Sequence, residues 1–145
     1  KGGTFMIQFV LGPSGSGKTK WLIDQANDDL VHGHGNYVFI DVDDSHIFSL
    51  DHGVRLINAK DFHISSTESL YGFLCGIISN DYDIEKIYLD AIYEIIPYDA
   101  DVYEGLYKAL EVIGKEYDVS FFFGLDQEID ALPELLRQNV VVLKA

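Results

Sequence analysis

The sequence predicts an α/β fold, a three-layer sandwich whose mainly parallel sheet of five or six strands carries helices on both faces. Three observations predict it. Apolar runs of strand length alternate with stretches of helical periodicity, the order that produces parallel pairing through crossover helices. A glycine-rich stretch joins the first strand to the first helix. No repeat, low-complexity tract or linker interrupts the 145 residues, so residues 1–145 read as one domain. A chain of that size buries roughly 70% of the surface its unfolded form exposes.

Phe5 to Leu11, apolar except at Gln8, has the continuous hydrophobicity of a strand buried on both faces. The glycine-rich segment follows, and then Trp21, Leu22, Ala26 and Leu30 recur at helical spacing until Gly33 and Gly35 stop the helix. Tyr37 to Val42 is a second strand and Val54 to Ile57 a short third. Ser65 with Glu68 three residues later predicts a capping box ahead of Leu70, Phe73, Leu74, Ile77 and Ile78. Cys75 reads as a small buried hydrophobe on that helix. Ile84 to Leu89 predicts a strand ending at Asp90. A long helix spans about Asp99 to Glu116, with Val102, Leu106, Ala109, Leu110 and Ile113 on its apolar face. Val119 to Phe123 is a buried strand closed by Gly124, Asp130 caps a short helix through Gln138, and Val140 to Leu143 is the last strand.

The charge excludes whole classes of partner. With 24 acidic and 10 basic side chains the chain carries −14, a field that repels nucleic acid and anionic membranes. A 48% hydrophobic composition excludes a disordered acidic tail. The longest apolar run, Leu70 to Ile78, is half of what a membrane span needs. No basic-then-apolar leader precedes a small-residue cleavage site, and one cysteine supports neither an intrachain disulfide nor a cysteine-rich zinc site. The expectation is a cytoplasmic chain.

The strongest local pattern is Gly12-Pro13-Ser14-Gly15-Ser16-Gly17-Lys18-Thr19, which fits G-x-x-x-x-G-K-[ST] at every defined position. Glycines let the backbone curl so that successive N–H groups converge on one anion, and the helix that follows adds the positive end of its dipole. Lys18 reaches the β- and γ-phosphates of a nucleotide as a mobile charge, and the Thr19 hydroxyl ligates Mg²⁺. The pattern lies between a strand and a helix, the context it requires. On these residues, and on the order of elements along nearly the whole chain, the sequence resembles the P-loop NTPase superfamily. The resemblance implies ATP or GTP binding by Gly12 to Lys20, with Lys18 also acting catalytically.

In that superfamily an acidic residue at the end of a buried strand holds Mg²⁺ through water, and Ile87-Tyr88-Leu89-Asp90 matches it. An apolar strand ending in Asp also serves as an ordinary turn cap. The order of elements after Asp90 is similar to the RecA and thymidine-kinase branch, where the next residue is often Glu, which orients water or accepts a proton. Here it is Ala91, and Glu94 is the candidate replacement. Asp126 or Gln127, after Phe121-Phe122-Phe123-Gly124-Leu125, falls where a γ-phosphate is sensed, although Asp126 also suits a turn. The single cysteine cannot build the zinc lobe of thymidine kinases. Gly17-Lys18-Thr19-Lys20 and Phe73 to Ser79 also resemble short stand-alone bacterial ATP-binding proteins of undefined role.

Other clusters carry weaker signals. Asp41, Asp43, Asp44 and His46 cluster at the carboxyl end of the second strand, either as a solvated acidic turn or, for Asp43 in a kinase, as a base. His32 and His34, two apart with no third ligand nearby, make a poor metal site at the opposite pole. Only two arginines, Arg55 and Arg137, are present, which disfavours a nucleotide monophosphate kinase and leaves any arginine finger to a partner. Tyr82, Tyr88, Tyr93, Tyr98 and Tyr103 interleave with carboxylates from Asp81 to Glu104, a pattern that suits a solvated face or a docking surface for a basic protein. With no Asn-Lys-x-Asp guanine-reading motif, ATP is expected over GTP. The sequence thus points to a Mg²⁺- and ATP-binding protein, a slow or partner-activated ATPase or an ATP sensor. The alternatives are a thymidine-kinase-type enzyme with Asp43 or Glu94 as base, and a pseudo-NTPase interaction domain.

Overall fold

The four inner strands form because their residues alternate between two largely buried, largely apolar faces, while the two edge strands are only partly buried. In a computed structural model, which describes residues 4–45 and 49–144, the order is β1 (Ile7–Leu11), α1 (Lys18–His32), β2 (Asn36–Asp41), β3 (Val54–Asn58), α2 (Thr67–Asn80), β4 (Ile84–Leu89), α3 (Ala100–Tyr117), β5 (Ser120–Leu125) and β6 (Val140–Val142). The six strands pair in one sheet in the order β3-β2-β4-β5-β1-β6. Every pairing is parallel, so the expectation of a mainly parallel sheet is met in full.

Alternation sorts the side chains into two clusters. Val10, Tyr37, Phe39, Tyr88 and Phe122 face Leu22, Ile23 and Ala26 of α1. Phe9, Leu11, Val38, Ile40, Ile87, Leu89, Phe121 and Phe123 face the other way, onto Leu70, Leu74 and Ile78 of α2 and Tyr103, Leu106, Tyr107 and Leu110 of α3. The arrangement is compatible with three layers, α1 on one side and α2 with α3 on the other. Stacked rings cross the α1 face from Phe39 to Tyr88 (6.2 Å) and on to Phe122 (5.1 Å). The Tyr88 hydroxyl donates to the Asp29 carboxylate of α1, which also pairs with Lys86 at 3.1 Å. Among the described residues no helix is long and apolar enough to cross a membrane.

Several local expectations are corrected. The capping box of α2 uses Ser66 and Ser69, each side chain accepting from the other's backbone N–H at 3.0 Å, rather than Ser65 and Glu68. A second hydroxyl serves at the third helical position as well as the usual carboxylate does. On α3, Val102 is 44% exposed while Tyr103 and Tyr107 are buried, because the tyrosine rings fill the space under the helix. The helix predicted from Asp130 to Gln138 is instead two 3₁₀ turns, Ile129–Ala131 and Glu134–Gln138, separated by Pro133. Proline lacks the N–H a helix needs and holds Leu132 extended at φ −91°, ψ 139°. Cys75 is half-buried, since Leu70, Leu74 and Ile78 take the inward face. β5 continues through Gly124 to Leu125, because these two residues pair with Val10 and Leu11 of β1. The tyrosine-rich acidic stretch is not one surface: Tyr88 and Tyr103 are buried in opposite clusters, and only Tyr82 is fully outside.

Two measurements test this packing. Ser66→Ala removes an N-cap and costs about 1 kcal/mol in urea denaturation, whereas Ser65→Ala and Glu68→Ala cost less than half of that. Burial, then the Glu85 carboxylate, pushes the Tyr37 phenol up to about 12, and burial raises Tyr88, Tyr103 and Tyr107 as well. An unfolded chain ionises its phenols near pH 10. The stability these groups contribute is therefore complete below pH 10 and lost as pH climbs toward 12. The urea midpoint should fall steeply between about pH 10 and 12, and less steeply in Tyr37→Phe.

Candidate functional site

Parallel pairing brings the carboxyl ends of β1, β5, β4 and β2 to one edge of the sheet, the edge where open α/β sheets bind ligands. Ile40 of β2 lies in register with Leu89 of β4, so Asp41 and Asp90 leave the sheet side by side, and the Asp90 N–H donates to the Ile40 carbonyl at 2.8 Å. Both aspartates are buried. Their strand alternation points them to the α1 face, with Phe39 and Tyr88.

The loop after β1 is held at both ends. Gly12 N–H donates to the Leu125 carbonyl at 3.2 Å, and a turn is closed by Ser16 N–H to the Pro13 carbonyl at 3.1 Å. Gly15 at φ 81° and Gly17 at φ 98° adopt the left-handed backbone that glycine accepts without strain. Gly12 has a different need: a Cβ there would lie 2.3 Å from Ser16 Oγ and 2.9 Å from the Leu143 carbonyl. Helix α1 starts directly at Lys18 with Gly17 as its N-cap and no side chain capping it, so its first N–H groups face the loop.

Four side chains gather at this end of α1. Lys18 is buried, 6% exposed as a residue, and its ammonium donates to the carbonyls of Gly12 (2.7 Å) and Pro13 (2.9 Å). Burial holds it below the ordinary lysine value, against the opposing pull of Asp126 and Asp90. Thr19 Oγ1 donates to Asp90 Oδ2 at 2.8 Å, a contact between residues 71 apart in sequence. Ser16 Oγ is buried with no hydrogen-bond partner, a polar atom whose cost is relieved by a ligand able to bond it.

The remaining sequence candidates fall in different places. Lys20 lies on the outer side of α1, paired with Asp24 at 2.5 Å. Pro13 and Ser14 are exposed at the loop's tip and Glu94 is exposed beyond Asp90. Asp43 closes its own turn by accepting from the backbone and hydroxyl of Ser45, and Asp44 accepts from Asn58. Of the described members of that cluster only Asp41 is buried, and His46 lies outside the described residues. Asp126 is exposed, yet its charge acts on Lys18. His32 is at the far pole with Asp28, and Arg137 donates to the Leu132 carbonyl. Among the described residues no group of three or more His, Cys, Asp or Glu is placed to hold a metal.

Two residues near the site carry no clear mark in the sequence. Gly124, which the sequence presents as a strand terminator, lies inside β5 near the site, where a Cβ would stand 3.3 Å from Leu22 Cδ1 and 3.5 Å from Asp90 Oδ1. The one hint is a lone glycine between apolar strand residues, a sign of close approach. Tyr93, read as part of a surface pattern, places its ring centroid 5.9 Å from Lys18 Nζ.

The Thr19–Asp90 bond has a measurable value. Thr19→Val should cost about 1.5–3 kcal/mol in urea denaturation, as expected for a hydrogen bond to a charged group. Combined with Asp90→Leu it should cost less than the two single changes added, since each removes the other's partner.

No protein-family model matches the chain, and no curated protein matches it either.

Proposed function

We propose that this chain binds a nucleoside triphosphate together with Mg²⁺, ATP in preference to GTP, as a member of the P-loop NTPase superfamily in its RecA and thymidine-kinase-like branch. The observation that carries the reading is the Thr19–Asp90 hydrogen bond at 2.8 Å beside the Lys18 ammonium. It unites the hydroxyl expected to ligate Mg²⁺ with the carboxylate expected to hold it through water, although 71 residues separate them. A hydroxyl and a carboxylate are the oxygen donors that Mg²⁺ takes, with water completing its shell. The orphaned Ser16 hydroxyl and the uncapped N–H groups of α1 are donors suited to phosphate oxygens.

The chain's own groups divide the work. Gly15 and Gly17 shape the loop, and Lys18 exchanges two neutral carbonyls for anionic phosphate oxygens. Thr19 and Asp90 hold the cation. The bound Mg²⁺ supplies charge that neutralises the phosphates, which matters in a chain of −14 whose only cations before Asp24 are Lys1, Lys18 and Lys20. Lys1 lies outside the described residues. Turnover is slow or waits for a partner, because the residue after Asp90 is Ala91 and Glu94 is exposed. The favoured role is therefore a weak ATPase or an ATP sensor.

A thermal melt with ATP and Mg²⁺ tests this. At nucleotide about 100-fold above Kd the gain is about 2.7 kcal/mol, roughly 5 to 10 °C in Tm for a chain of this size. Lys18→Ala and EDTA should each remove most of the shift, and GTP should give less of it. No shift with either nucleotide at millimolar concentration overturns the proposal. Single-turnover hydrolysis then separates a slow ATPase from a module that binds without turnover.

A further inference from the structure

Directly after Asp90 the chain turns back on the loop. Ala91 sits at φ 56°, ψ 23°, a left-handed conformation that costs a residue with a Cβ and marks sites where the surroundings impose it. The 3₁₀ turn Ile92–Glu94 follows, and Ile92 anchors it at 1% exposed in the core. Its neighbour Tyr93 is left half-buried, its ring 5.9 Å from Lys18 Nζ and within cation–π reach. Asp126 and Asp90 act on the Lys18 ammonium and on the Tyr93 phenol alike, and Glu94 acts on the phenol as well. Burial and these three carboxylates push the phenol up to about 12. At neutral pH it is an O–H donor and not a base.

We propose that Tyr93 distinguishes a nucleoside triphosphate from a diphosphate at this site, by donating its phenolic O–H to the terminal phosphate that Lys18 engages. The inference rests on the nucleotide reading above and adds a specificity residue to it. A terminal phosphate at this place meets three carboxylates, so a neutral donor helps there where another carboxylate would repel. Hydrogen bonds to an ionised acceptor are the strong kind. A diphosphate offers no third phosphate, and the phenol then gains no acceptor.

Isothermal titration of the full chain with ATP and ADP, each with Mg²⁺, tests the role in wild type, Tyr93→Phe and Tyr93→Leu. Tyr93→Phe keeps a ring over Lys18 and removes only the donor. It should weaken ATP about tenfold while ADP stays within about twofold, and its Tm without nucleotide should match wild type. Tyr93→Leu should weaken ATP at least as much. If wild type binds and Tyr93→Phe changes ATP and ADP equally or changes neither, the role of Tyr93 is overturned and the nucleotide reading stands. Tighter binding of both nucleotides by Tyr93→Leu marks the ring as a mere cover and also overturns it. A wild type that binds neither nucleotide overturns the nucleotide reading, and the role of Tyr93 with it.

Discussion

Parallel pairing of β1, β5, β4 and β2 is the constraint from which the rest of the molecule follows. An antiparallel neighbour would send its carboxyl end to the opposite pole. Because all the pairings run the same way, the glycine loop, Asp41, Asp90 and Asp126 come to one edge from four separate segments. Parallel strands need crossovers, and the helices that make them bury both faces. That burial explains the near-continuous apolar strands, such as FFF at 121–123. The charged side chains buried among the described residues, Lys18, Asp41 and Asp90, gather at this one edge.

The opposite pole shows how α1 is fixed in direction. Asp29, near the far end of α1, takes the Tyr88 hydroxyl and the Lys86 ammonium from β4. Tyr37 donates to Glu85 at 2.5 Å, and Gly33 admits that tyrosine, since a Cβ there would sit 1.6 Å from its hydroxyl. At the near end Thr19 bonds Asp90, also on the β4 segment. The helix is thus pinned to one strand at both ends, with aromatic rings between, and Lys18 is held to the sheet edge as a consequence.

A strongly acidic chain faces a penalty in holding any anion. Here the opposing forces are resolved within a few ångströms. Lys18 is desolvated, which lowers its affinity for a proton, and two carbonyls and two carboxylates hold it charged in compensation. The glycines and the start of α1 contribute N–H groups that carry no net charge at all. Gly124 contributes by having no side chain, which leaves room for Leu22 of α1, 3.3 Å from where a Cβ would stand.

The elements were legible in the sequence wherever periodicity expresses burial directly. Sequence pattern alone places every strand and all three long helices within a few residues of their bounds, the glycine-rich segment between β1 and α1, and Asp90 directly after β4. Boundaries set by local chemistry were less legible. Ser65–Glu68 and Ser66–Ser69 satisfy the same capping logic, and only backbone direction selects between them. Val102 and Tyr103 are both apolar enough for a helix face, and the width of the space beneath α3 decides which is buried. By itself the sequence determined the fold class, the loop and the identity of the residues at the strand ends, because each depends on short-range pattern. Only the tertiary structure decided that Thr19 meets Asp90, that Gly124 makes room for Leu22, that Asp41 is buried while Asp43 closes a turn, and that the Tyr93 ring lies beside Lys18. Those facts depend on strand order and register across distant segments, which no local spacing encodes.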